Sequence, residues 1–546
     1  MSGVKDLLQQ LRALGVQLTL DGESLRLNAP KGVLTPELQG RLKTAKPEIV
    51  ELLRAMRANH AGGNTITRLT QRERLPLSFS QQRLWFLHQM DPDNTAYTML
   101  FLLHLRGSLN ARALAEALRQ IVLRHESLRT VFAQEEGVPY AATLADDSWG
   151  MERRSFPLLD GETLQQAVAR YGAEALQESF DLVAGPLFRA CLLEVAPGEA
   201  VLTLVMHHII ADGWSTGVLV REIVANYAAL TAEVALKVKP LPVQYGDYAA
   251  WQRTWLESGV LDRQMRYWRR QLEDAPVISL FPPDKRRDAG AALPGRRLKR
   301  VLSAAFTEEI QRFSKAQQVT PFMTLFTAYV VLMARWSGQK DVAVGTPYAN
   351  RNRSELSELI GFFVNNLVLR VTVEDDISFK ELLRRVREAT LGAFEHPDVP
   401  FDLLVRELAN DRSPEYAPLF QTMFTLHNFP LEEMELPSLV ATPLELEDVI
   451  ARFDVNVEIC PYKGELLAYF DFSTELYEFE TMDAVLDGYE LILRAMLTDP
   501  ERKIASAPIL SPARRDALLG FGNATEVDLA GALSLLEALD HHTDVT

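Results

Sequence analysis

The chain has 546 residues, 47% of them hydrophobic and 24% charged, which excludes a disordered, collagenous or coiled-coil protein and allows about three or four folding units. Its formal net charge of −16 argues against a broad binder of phosphate backbones, so no nucleic-acid partner is expected. The charge is divided: residues 1–60 hold nine basic and six acidic side chains, a net +3, which leaves −19 on the remainder. A small basic head on a large acidic body suggests separate tasks.

Residues 4–14 place Val4, Leu7, Leu8, Leu11 and Leu14 at helical spacing, and Gly15 ends the run. Residues 16–20 and 24–28 then alternate with period two about Asp21-Gly22-Glu23, which predicts a hairpin. Thr35 can cap a short helix ahead of Pro47, and Pro47 can open another that runs to about Arg57. The result is a small αββαα unit, residues 1–58, whose hairpin edge could accept a partner strand. Residues 59–74, polar and rich in Gly, Asn and Thr toward their start, read as a linker.

The body begins at Leu75. Helical patterns at residues 80–89, 111–125, 164–178 and 216–233 alternate with apolar strands at 97–105, 187–194 and 201–206. A second block repeats the alternation. It has helices at 248–257, 264–272, 305–316, 321–337, 379–395 and 479–499, and strands at 341–347, 364–373, 420–427, 453–460 and 465–472. Two α/β lobes are predicted, residues 75–245 and 246–515, with the crossover in the proline-bearing stretch 237–244 and a softer tail at 516–546. Cys191 and Cys460 lie far apart in apolar runs, which excludes a disulfide framework or a structural zinc site and makes both core fillers. The N-terminus is amphipathic and unlike a secretory signal. The most apolar window, residues 324–336, is too short to span a bilayer, so a cytoplasmic location without a membrane partner is expected.

The strongest local pattern is MHHIIADGWS, residues 206–215, which follows the apolar strand VLTLV. Strand alternation sends His207 and His208 to opposite faces, so one can be packed while the other meets a cleft. A buried Asp212 would need a cationic partner. A histidine pair after a strand is more often packed than catalytic. A metal is not expected: residues 209–213 read as a loop, and no third ligand is near in sequence. No nucleophile elbow, phosphate loop or dinucleotide fingerprint is present.

Six further segments stand in order around this pattern: SFSQQRLWFL (78–87), RHESLRTVF (124–132), YGDYAAWQ (245–252), IGFFVNNLVLR (360–370), HPDVPF (396–401) and PLFQTMF (418–424). With His-His-x-x-x-Asp-Gly they resemble the motif set of nonribosomal peptide synthetase condensation domains, over residues 75–515. Residues 1–58 are similar to the N-terminal docking domain typified by the tubulysin synthetase. Residues 508–515 and 521–525 resemble the exit from a condensation domain and the run-in to an adenylation domain, so the chain could be a fragment of a larger synthetase.

The resemblance implies two chloramphenicol-acetyltransferase-like lobes in a V-shaped pair. It implies peptide-bond formation between substrates borne on the phosphopantetheine arms of donor and acceptor carrier proteins, with no covalently bound cofactor and no metal. Further implied partners are the C-terminal docking segment of an upstream subunit and a downstream adenylation domain. The implied catalytic set is His208, His207, Asp212 and Gly213. His208 would act at the tunnel centre as base or positioning group, and His207 would be structural. Asp212 would pair with Arg351, and Gly213 would let the backbone approach the thioester. Arg351, Asn365, Arg83 and Trp251 would support the site, and Trp85, Phe86 and Phe362 read as core aromatics. The opening motif resembles the subtype that joins an L-donor to an L-acceptor. A coenzyme A-dependent acyltransferase, an epimerase of the same superfamily and a non-catalytic carrier-binding scaffold remain alternatives. The heterocycle-forming variant, which replaces both histidines, is excluded.

Overall fold

The computed structural model describes residues 17–21, 24–28, 65–145, 149–236, 239–279, 281–287, 293–409, 416–427 and 433–523. The N-terminal hairpin is present: β1 (Gln17–Asp21) pairs antiparallel with β2 (Ser24–Asn28), with Leu18 facing Leu27. The helices expected at residues 4–14 and 35–57 lie outside the described residues.

In the first lobe a short strand, β3 (Leu75–Pro76), leads into α1 (Phe79–Met90), which Ser78 and Gln81 close with a reciprocal capping box. Then come β4 (Thr98–Gly107), α2 (Ala111–Arg124), β5 (Thr130–Glu135), β6 (Val138–Thr143), β7 (Glu152–Ser155) and α3 (Leu164–Gln177). The long hairpin β8 (Phe188–Ala196) and β9 (Glu199–His207) follows, and then α4 (Gly213–Thr231). Helix α2 buries Ala113, Leu114, Ala117, Leu118, Ile121 and Val122, the one stripe its sequence offers, against α4 and the sheet.

The second lobe opens with α5 (Tyr245–Trp255) and α6 (Leu261–Gln271), then β10 (Leu293–Leu302), α7 (Ala304–Ala316), α8 (Pro321–Ser337) and β11 (Asp341–Tyr348). It continues through β12 (Asn365–Thr372), α9 (Phe379–Glu395), α10 (Phe401–Leu408), β13 (Thr422–Leu426), β14 (Met434–Leu436), β15 (Leu439–Leu444) and β16 (Asp448–Ala451). It ends with β17 (Val455–Tyr462), β18 (Glu465–Ser473), α11 (Phe479–Thr498) and α12 (Pro512–Asn523). Helix α8 is apolar all round and buried from Met323 to Ala334. It packs against α9 and α11 as the centre of this lobe's core. Among the described residues no single helix is long and apolar enough to cross a membrane.

The large sheets run β14-β15-β4-β9-β8-β7 and β12-β11-β13-β17-β18-β10-β16. Two lobes are thus built as expected, and segments of the chain cross between them. Strand β15 leaves the second block to pair antiparallel with β4, Leu439 opposite Gly107, and β16 returns to the far sheet beside β10. Helix α5 also bridges: Tyr245, Tyr248 and Ala249 share a cluster with Ile66, Leu241 and Val243 on one side and Leu356, Leu359 and Phe363 on the other. Gly361 makes this closure possible, since a Cβ there would lie 2.0 Å from the Tyr245 ring.

Residues 65–74 of the expected linker 59–74 are described and make contacts with the body. Ile66 is buried, the Leu69 N–H donates to the buried carboxylate of Asp247, and Arg72 pairs with Asp247 and Glu126. Within that stretch the Leu69 N–H and Arg72 are donors to an internal acid, while Thr65, Thr67, Arg68, Thr70 and Gln71 stay exposed. At the other end, residues 512–523 are helical, and Arg514 ties that helix to Asp483 and Asp487 of α11. Residues 524–546 lie outside the described residues.

Candidate active site

Strand β9 carries its apolar run to His207, which is 4% exposed. The Ile209 N–H donates to His207 Nδ1 at 3.1 Å, so that nitrogen holds a lone pair. The rings of Phe180 and Tyr97 stand 6.0 and 6.4 Å away. Burial, with smaller repulsions from His88 and Arg452, pushes its pKa down to about 3. The unfolded chain therefore takes up a proton near pH 6.5 that folded His207 refuses, and stability falls as pH drops from 6.5 toward 3. Between pH 6.5 and 5 this amounts to at most about 2 kcal/mol. Denaturant midpoints of His207→Asn should fall less over that interval than those of the parent chain, and parallel curves would refute this assignment.

His208 opens the 3₁₀ turn His208–Ile210 that follows the strand. Its Nδ1 lies 3.1 Å from the Ala211 carbonyl oxygen, which can only accept, so Nδ1 bears the proton. The Nε2 lone pair has no partner among the described residues, and the side chain lines a cavity of about 1400 Å³ between the lobes. Phe362 flanks the imidazole at 5.5 Å. Burial, then repulsion from Arg452 and His207, holds its pKa well below the ordinary value, against the pull of the Ala211 hydrogen bond. The two adjacent histidines thus carry opposite tautomers, and both are neutral at pH 7.

The sequence placed Asp212 and Gly213 in a loop and began the helix at Thr216. Instead α4 starts at Gly213 with Asp212 as its N-cap, because the carboxylate accepts from the Ser215 N–H at 2.8 Å. The same Oδ1 accepts from the Ser215 hydroxyl at 2.7 Å and from Arg351 Nη2 at 3.1 Å, and Oδ2 accepts from the Phe363 N–H at 3.0 Å. Asp212 is 0% exposed and Arg351 2%. Arg351 also donates to the carbonyls of Leu356 and Leu359 at 2.7 and 2.6 Å, and stacks 4.1 Å over Phe363. This pair spans the lobes and does not line the cavity, and neither does His207. Of the four residues in the implied catalytic set, only His208 and Gly213 reach it. The Gly213 Cβ position has no protein atom within 4 Å, so a side chain there would enter cavity space.

The supporting residues divide similarly. Asn365 is buried at the start of β12. It holds the loop before α10 by donating to the carbonyls of Pro397 and Val399 at 2.8 and 2.7 Å and accepting from the Phe401 N–H at 3.0 Å. Arg83 on α1 reaches across to Asp402 at 3.1 Å and packs over Phe401. Trp251 stacks with Trp255 and beneath Arg353, away from the cavity. Trp85 is buried, but Phe86 is 52% exposed, because it falls on the solvent side of α1; Phe362 lines the cavity rather than a closed core.

The sequence reading missed Ser215 and Arg452. The Ser215 hydroxyl accepts from Arg351 Nη2 at 2.9 Å and from the Gly361 N–H at 3.1 Å, joining three segments. Its place three residues after a capping Asp was the available signal. Arg452 stands in the turn between β16 and β17 and lines the cavity, and no local pattern marks it. Among the described residues no group of three or more His, Cys, Asp or Glu side chains is placed to hold a metal.

Two chloramphenicol-acetyltransferase-like lobes closing on one histidine-bearing cavity define the class. The chain belongs to the condensation-domain family, whose model matches residues 71–519, and residues 4–55 match the TubC N-terminal docking domain. It is 38% identical over 460 residues to the malpinin synthetase of Mortierella alpina, covering 84% of this chain and 6% of that protein. It is 36% identical over 444 residues to the phosphinothricin tripeptide synthetase PhsC of Streptomyces viridochromogenes, covering 80% of this chain and 40% of that one. The chain therefore spans less than half the length of either relative. Among solved structures it resembles the X-domain in complex with OxyB from teicoplanin biosynthesis, with TM-score 0.71 and 25% identity over 82% of this chain and 99% of that one.

Proposed function

We propose that this chain forms a peptide bond between two substrates tethered as thioesters to partner carrier proteins. The observation that carries the reading is His208: a neutral imidazole with its Nε2 lone pair unpartnered, on the wall of a cavity shared by both lobes. The acceptor amine attacks the donor thioester carbonyl. A C–N bond forms, the C–S bond breaks, and the proton lost from nitrogen ends on the departing pantetheine sulfur, so no further reactant is needed. Held close to the amine, Nε2 accepts that proton or its hydrogen bond and fixes the line of attack. The depressed pKa keeps the lone pair available at neutral pH while making the imidazole a weak base, which favours positioning as the larger part of its work. Gly213 is first in its helix and lines the cavity, so its N–H is a backbone donor for the thioester oxygen.

No covalent intermediate is required. Among the described residues no hydroxyl or thiol hydrogen-bonds His208, and burial pushes the Cys460 thiol well above the ordinary thiol range. Substrates arrive on the carriers' phosphopantetheine arms. In this reading the N-terminal hairpin receives the tail of an upstream subunit by strand addition, its basic surroundings favour an acidic tail, and an adenylation domain follows downstream in a cytoplasmic assembly. The opening motif supports an L-donor and an L-acceptor.

The test is a single-turnover reaction of the chain with a loaded donor carrier and a loaded acceptor carrier, read by intact mass. Transfer of the donor acyl group onto the acceptor-loaded carrier is expected. Transfer to free coenzyme A, with none to the acceptor carrier, would establish the coenzyme A-dependent acyltransferase instead.

A further inference from the structure

The cavity wall is rich in charge, and among the described residues its Arg and Lys side chains are paired with one exception. Arg297 binds Asp471 through two hydrogen bonds of 2.7 Å, Lys299 meets Glu445 at 3.0 Å, and Arg83 meets Asp402 at 3.1 Å. Glu458 lies 3.4 Å from His427 and accepts from Asn456. Arg452 differs. Its guanidinium has no hydrogen bond or ion pair among the described residues, yet it lines the same cavity as His208. The residue is exposed to cavity space, and desolvation by the wall around it lowers its pKa. Tyr97, Glu458 and Asp471 act on it only through space.

We propose that Arg452 is a positioning residue of the reaction, donating N–H groups to the carbonyl oxygen of a tethered acyl group beside His208 and stabilising the negative charge that develops there. The proposal rests on the peptide-bond reading above. Two observations favour a carbonyl over a substrate carboxylate. Glu458 and Asp471 already act on Arg452 from a distance, so its charge is partly offset while its N–H groups lack an acceptor among the described residues. Arg452 also acts electrostatically on His208, where the thioester must pass. A guanidinium open to the cavity is suited to charge that appears only at the transition state.

The groups bearing on His208 are Arg452, His207, the Ala211 carbonyl and the ring of Phe362. Replacing Arg452 by an uncharged side chain removes a repulsion, so the acid limb of the rate profile should move to higher pH. With the full chain and loaded carriers, Arg452→Gln is expected to lower the single-turnover rate about 10²-fold. The carrier concentrations giving half-maximal rate should stay within about twofold, and Arg452→Lys should recover about tenfold of the loss. An unchanged rate in Arg452→Gln would overturn the proposal. So would a loss confined to aspartyl or glutamyl substrates, which would make the residue a carboxylate reader. A lower melting temperature with an unmoved acid limb, showing a purely structural role, would overturn it too. A parent chain that forms no product overturns the peptide-bond reading and this proposal together; an active parent with an equally active variant overturns this proposal alone.

Discussion

His208→Ala should reduce product formation by about 10²–10⁴-fold while leaving the fold in place. The size follows from what the imidazole supplies in the proposed reaction, a placed acceptor for the attacking amine together with its orientation; the other histidine on the cavity wall, His427, is engaged by Glu458. The fold should survive because the ring is only partly buried at the cavity wall, and its one hydrogen bond goes to the carbonyl of Ala211. Intact-mass single turnovers give the rate, and thermal melting gives the fold. Condensation by the alanine variant at the parent rate would remove His208 from the mechanism.

Asp212→Asn should cost about 3–5 kcal/mol of stability, because it strands a guanidinium that is 2% exposed. Asparagine can still cap α4, so the loss isolates the charge from the cap. The carbonyls of Leu356 and Leu359 and the Ser215 hydroxyl would still hold Arg351, but none carries a negative charge. Since the pair joins residues 139 apart on opposite lobes, the cooperative unfolding of the two lobes should weaken as well. Adding Arg351→Met to Asp212→Asn should restore part of the loss, as removing both charges leaves neither uncompensated. A variant with the parent's denaturant midpoint and no activity would instead place the carboxylate in the chemistry.

The sequence by itself determined the elements whose pattern is local. The stripe on α2, the all-apolar α8 and the alternation across residues 17–28 each specify their partner surface through period alone. It also separated His207 from His208, because a strand must turn adjacent side chains to opposite faces. Strand β10 escaped that reading although it alternates. Arg297, Lys299 and Val301 face the cavity while Leu298 and Leu302 face the core, and charges on the inner wall masked the period.

Only the tertiary structure decided that Asp212 and His207 stay off the cavity, that β15 completes the first lobe's sheet, and that Arg452 stands on the cavity wall without a partner among the described residues. Each of these depends on groups far apart in the chain. Arg351 meets Asp212 across 139 residues, and Leu444 meets Leu102 across more than 300. Period and propensity act over a few residues, whereas burial of a charge is settled by whichever distant group folding brings beside it.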